Sequence, residues 1–162
     1  MSATEAGPDA VEDAGAPSDR VLVHHTAADR LAGLEQRYTM SRRTLVEALY
    51  GAGRPLTIPE LLAEAGEIPQ SSAYRNLSVL CEAGVARRLP GPDDFGRFEL
   101  AEDLAGHHHH LRCTSCGSVV DFIAPARLER ALMASAGEVA SSTGFELDGH
   151  SVEFSGRCPR CR

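Results

Sequence analysis

The chain has 162 residues, 43% of them hydrophobic, and a formal net charge of −7 at pH 7, which bounds it to one ordinary globular domain or two small ones. No apolar run approaches the roughly 18–20 residues of a membrane span, and the N-terminus lacks a basic region followed by an apolar stretch, so a cytoplasmic protein without a membrane partner is predicted. The acidic total does not exclude nucleic acid: residues 1–20 set five acids against Arg20 alone, whereas residues 35–90 carry seven arginines against six glutamates.

Residues 1–20, without apolar periodicity, read as a disordered acidic tail. A helix is predicted over 27–37, with Leu31 and Leu34 on one stripe. A second, capped by Ser41, carries Leu45, Val46, Leu49 and Tyr50 at helical spacing and ends at Gly51 and Gly53. A third begins at Ile58-Pro59-Glu60, where proline is tolerated in the first turn, and runs to Gly66. The fourth runs from Ser71 or Ser72 to Gly84 and carries Tyr74, with Leu77 and Leu80 read as core and Cys81 as a small buried apolar side chain. Strand-like stretches at 85–89 and 97–100 flank the turn-rich segment 90–94. Short helices followed by a hairpin make a winged helix-turn-helix, assigned to residues 21–100, with the fourth helix as the reader.

Residues 101–106 are read as a hinge and 107–162 as a second small domain. Strands at 107–113 and 118–123 flank the turn Cys113-Thr114-Ser115-Cys116, a helix follows over 125–142 with Leu128, Leu132 and Val139 inside, and a strand at 152–155 leads into Cys158-Pro159-Arg160-Cys161. The fold class is therefore α+β, an N-terminal winged helix-turn-helix domain plus a small C-terminal α/β domain with a four-cysteine zinc site. Two knuckles of this spacing present four thiolates to one tetrahedral ion, and a half-domain with little apolar surface needs such an ion or a dimer interface for stability.

Directly before the first knuckle stands the run His107 to His110. As a strand it would alternate, His108 and His110 facing one way and His107 and His109 the other, so that one segment serves two metal sites. Imidazole suits zinc, iron, nickel and copper, and Glu99, Glu129 and His150 are the nearest further donors. Three other classes compete: a thiol-disulfide oxidoreductase, a zinc hydrolase, and a metal buffer without DNA binding. The first two lack a thioredoxin-like βαβ setting and an open catalytic position, and the third leaves the helical first half unexplained.

From Tyr38 to Cys161 the chain resembles the ferric uptake regulator family of metal-sensing repressors, through Ser72-Ala73-Tyr74-Arg75-Asn76-Leu77 with Glu82-Ala83-Gly84, Phe98-Glu99-Leu100, the four histidines, Gly149-His150-Ser151 and the two knuckles. The resemblance implies a homodimer, joined through the second domain, that represses transcription from palindromic double-stranded DNA when metal is bound, and no enzyme activity. It places Tyr74 and Arg75 on the recognition helix, with Ser71, Ser72 and Asn76 as further contacts and Arg42 or Arg43 on the DNA backbone. Besides structural zinc on Cys113, Cys116, Cys158 and Cys161, it implies a second-domain site of His107, His109, Glu129 and His150. It also implies a sensory site of Glu99, His108 and His110 for ferrous iron or zinc, with affinity falling below pH of about 6.5. The sensory set is incomplete: Pro55 and Arg87 stand where relatives place ligands, and His24, His25, Glu102 or Asp103 could complete it. Peroxide- and nickel-sensing members are the alternative within the family.

Overall fold

The computed structural model describes residues 20–89 and 96–162. The predicted tail, apart from Arg20, and the turn at 90–94 lie outside the described residues. Helix α1 (Arg20–Gly33) begins earlier than its apolar stripe suggested, because Val23, Ala27 and Leu31 recur every four residues and are all fully buried. It also ends earlier, at a turn with Glu35 in the left-handed region (φ 56°), so Leu34 lies beyond the helix and is 41% exposed.

The cap of α2 (Met40–Ala52) is Thr39 rather than Ser41; the Thr39 hydroxyl accepts from the Arg42 N–H, and Gly53 closes the helix at φ 55°. A two-residue strand missed in the sequence, β1 (Leu56–Thr57), precedes α3 (Ile58–Ala65). Thr57 and Glu60 close a reciprocal capping box there, with Pro59 in the first turn. The helix expected to be the reader is α4 (Gln70–Glu82), followed by β2 (Ala86–Leu89) and β3 (Arg97–Leu100). The sheet order is β1-β3-β2, so β3 is covered along both edges and all four of its residues are buried, Glu99 among them.

The hinge is structured. Residues Glu102–Ala105 form the short helix α5, whose Leu104 is packed into the same hydrophobic core as α1 to α4 and β3. Arg30 of α1 fastens it by an ion pair to Asp103. The chain then enters β4 (His109–Cys113), β5 (Val119–Phe122), α6 (Ala126–Thr143) and β6 (Glu153–Gly156). Strand β4 is central, antiparallel to β5 and parallel to β6, in a register that sets His110 opposite Asp121 and His109 opposite Phe122. The strand starts at His109, two positions later than expected. No residue of α6 is buried, and Met133, Val139, Leu111, Val120 and Phe154 are among the exposed large apolar side chains of this half.

Candidate metal centres and DNA-reading helix

Among the described residues, three groups bring their donor atoms within 4.8 Å of one another: the four cysteines; His107, His109, Glu129 and His150; and Glu99, His108, His110 and Asp121. The alternation of the histidine run is what separates the last two.

Each Cys-x2-Cys pair lies in a tight turn, and the β4–β6 pairing carries the second knuckle to the first. Cys116 Sγ lies 3.8 Å from Cys158 Sγ, too far for a disulfide of about 2.05 Å. It equals the edge of a tetrahedron built on Zn–S bonds of about 2.3 Å, roughly 3.8 Å. Backbone N–H groups, that of Cys158 among them at 3.4 Å, point at Cys113 Sγ and bring its thiol down to about 6. Cys161 is the opposite case: Ser115 draws its thiol down, but the neighbouring Cys158 and Cys116 outweigh it and leave it at about 11. Four cysteine sulfurs brought together in this way are the donor set of a tetrahedral structural zinc site.

In the second group Glu129 of α6 holds two imidazoles at once, with His109 Nε2 2.7 Å from Oε1 and His150 Nε2 3.0 Å from Oε2. The His107 ring stands 4.7 Å from that of His109 and 4.8 Å from that of His150. Its Nε2 is buried without a hydrogen-bond partner.

The third group lies at the junction of the two halves. Glu99 comes from the first sheet, His110 and Asp121 come from the second, and His108 stands immediately before β4. His110 Nε2 lies 3.0 Å from Glu99 Oε2, and His108 Nε2 lies 3.6 Å from the same oxygen. His108 Nε2 and Asp121 Oδ1 are buried and unpartnered, as expected of atoms arranged to face an ion. Burial alone would raise the Glu99 carboxyl, yet the two histidines and Arg87 hold it at about 2. Burial does raise Asp121.

Asp121, which sequence reasoning missed, thus stands where a fourth donor was sought. The residues proposed for that place are committed elsewhere. His24 joins Tyr38 (2.5 Å) and Glu47 (2.7 Å), His25 joins Asp29 (3.0 Å), Glu102 joins His107, and Asp103 joins Arg30. The only available signal for Asp121 was a charged residue inside an otherwise apolar strand. A cavity of about 160 Å³ separates the cluster from the end of α2, where the first half offers Tyr50 and Arg54.

The carboxylate of Glu99 raises the His108 imidazole to about 9. For an ion held by these donors, the pH range of binding would move upward from the 6.5 expected for a free imidazole. Only the neutral ring ligates, so each ion must displace a proton at any pH below about 9. Affinity at this group is expected to rise close to tenfold per pH unit between pH 6.5 and 8.5 and to level off above 9. Co²⁺ dissociation constants measured across that range test this, and a flat profile would refute it.

On α4, Tyr74 is 45% exposed and Arg75 and Ser71 are exposed, while Ser72 is half-buried. Arg43 of α2 is exposed as well. Arg42 and Asn76, also expected at the DNA, are engaged with each other. The Arg42 guanidinium is buried and donates to Asn76 Oδ1 (3.2 Å), the Arg37 carbonyl (2.6 Å) and Gln36 Oε1 (3.0 Å), so the pair cross-links α2 to α4.

The Ferric uptake regulator family profile matches residues 34–155. The peroxide operon regulator of Bacillus subtilis (strain 168) is 31% identical over 147 residues, covering 86% of this chain and 96% of that protein. A ferric uptake regulation protein of Bordetella parapertussis is 34% identical over 102 residues, covering 63% and 68%. Among solved structures, the Vibrio cholerae ferric uptake regulator superposes with a TM-score of 0.63 at 27% identity, covering 80% of this chain and 98% of that one. Because the profile spans α2 to α4, the hairpin, the histidine run and the first cysteine knuckle, the chain belongs to the ferric uptake regulator family of metal-dependent transcriptional repressors.

Proposed function

We propose that this protein is a homodimeric, non-enzymatic repressor that binds palindromic double-stranded DNA when Glu99, His108, His110 and Asp121 hold a divalent ion, ferrous iron or zinc. The observation that carries the reading is the origin of those donors: Glu99 belongs to the winged-helix sheet, His110 and Asp121 to the C-terminal sheet, and His108 to the segment that leads directly into it. An ion there favours one orientation of the two halves by the difference in its affinity for the two states. The V. cholerae relative is described as showing structural rearrangement of its DNA-binding domains, which suits a protein with such a joint.

The four cysteines would hold structural zinc, and His107, His109, Glu129 and His150 a second ion. The exposed apolar side chains of the C-terminal half suit an interface with a second copy. Two symmetric reading helices would then meet half-sites about one helical turn apart, with Tyr74 and Arg75 at the bases and Arg43 at a phosphate.

His108→Ala combined with His110→Ala, and separately Asp121→Ala, are expected to remove the effect of added Fe²⁺ or Zn²⁺ on operator retardation while leaving the cysteine-bound zinc in place. A metal response that persists in all these variants would overturn the reading. The likeness to a peroxide operon regulator supports a second reading, in which peroxide ends repression by the iron form. Release of the operator on adding peroxide to the ferrous but not the zinc form would select it.

A further inference from the structure

A chain of charges runs between the two histidine clusters. Arg87 on β2 stands directly opposite Glu99 on β3, and its Nε donates to Glu99 Oε1, the oxygen that the histidines do not use. The other end of the same guanidinium, Nη1, lies 3.6 Å from Oε2 of Glu102 on α5. Glu102 Oε1 pairs with His107 Nδ1, leaving His107 Nε2 to face Glu129 at 3.4 Å. One arginine therefore touches the carboxylate of the first cluster and, through a single hinge carboxylate, an imidazole of the second.

We propose that Arg87 and Glu102 are positioning residues that couple the two clusters, so that an ion at either one weakens binding at the other. The inference rests on the metal reading above. An ion on His107 Nε2 makes the Nδ1–H a stronger donor and draws Glu102 toward the ring, in the manner of a carboxylate behind a metal-bound histidine. Arg87 then leans more fully on Glu99 and competes with an ion for that carboxylate. In the other direction, an ion on Glu99 repels the guanidinium toward Glu102, which becomes a poorer acceptor for His107. Linkage requires the two effects to be equal. The Glu99 side chain is only 5% exposed, so its exchange between cation partners is little screened by water.

The relay explains why an arginine stands beside a cation site. It lowers the affinity of the junction site and makes the reduction depend on the state of the other cluster, so the pair would respond to a wider range of ion concentration than two independent sites.

The test is a Co²⁺ titration of the full-length, zinc-loaded protein. His150→Ala isolates the junction cluster and Asp121→Ala isolates the other, each giving a single-site constant. The product of the two dissociation constants of the intact pair, divided by the product of the isolated constants, is the coupling factor. A factor of about 5 or more is expected, falling severalfold when the same set is repeated with Glu102→Gln and with Arg87→Ala. These two side chains are 35% and 31% exposed, so neither change opens a core cavity. A factor that is the same with and without the relay residues would overturn the proposal and leave only direct repulsion between two cations. A factor of 1 in the unaltered protein would overturn it too. If the unaltered protein takes up no Co²⁺ beyond its zinc, the metal reading itself fails, and the relay with it.

Discussion

Cys113→Ser is expected to strip the structural zinc and to unfold residues 107–162, while α1 to α4 keep their helical signal. The asymmetry follows from where the apolar core lies. Val23, Leu31, Leu45, Leu61, Leu77 and Leu80 are fully buried in the first half, and the core that they form extends only as far as Leu104 among the described residues. In the second half the buried apolar residues are Cys113, Val119 and Ala124, and α6 contributes none. A structural zinc site binds with an apparent free energy of about 10–16 kcal/mol, as large as the whole stability of a typical domain, about 5–15 kcal/mol. Losing one thiolate also loses the anchor between β4 and the second knuckle, and with it the surface on which a second copy would pack. Zinc content, a thermal scan resolving two transitions, and sedimentation measure the three consequences. Retention of one zinc per chain together with the dimer would refute the assignment.

Tyr74→Ala combined with Arg75→Ala is expected to weaken specific operator binding by a factor of about 100 or more, because a well-placed base contact is worth about 1–3 kcal/mol and the proposed reading helix would lose two. Both side chains are exposed on α4 and neither supports the core, so zinc content and melting temperature should stay unchanged. Arg42→Ala is the informative contrast. It removes a buried guanidinium with three internal acceptors, so its loss should appear as a lower melting temperature before it appears at the DNA. If the Tyr74 and Arg75 double variant retards the operator as the unaltered protein does, the reading surface lies elsewhere.

The longer helices, the hairpin strands, the cysteine knuckles and the split of the histidine run were legible in the sequence because each is a local pattern, whereas β1 and α5 were not. A repeat of 3.6 marks α2 and α4, a repeat of two sorts His107 and His109 from His108 and His110, and a two-residue gap makes a knuckle wherever it occurs. Ends of elements were less legible. The start of α1 depends on Val23 meeting a core that the sequence does not display, and β1 exists only because Leu56 and Thr57 pair with Phe98 and Arg97.

What the sequence determined by itself, then, was a list of donors and the helices and strands that bear them, since side-chain direction along one element is set by backbone geometry alone. Only the tertiary structure decided the partners. Asp121 joins the junction cluster because the β4–β5 register sets it opposite His110, Arg87 reaches Glu99 because the β2–β3 register sets it there, and Arg42 turns inward to Asn76 because α2 crosses α4. Register and crossing depend on the summed packing of whole faces, and a shift of one residue along a strand would send its side chains to the other side.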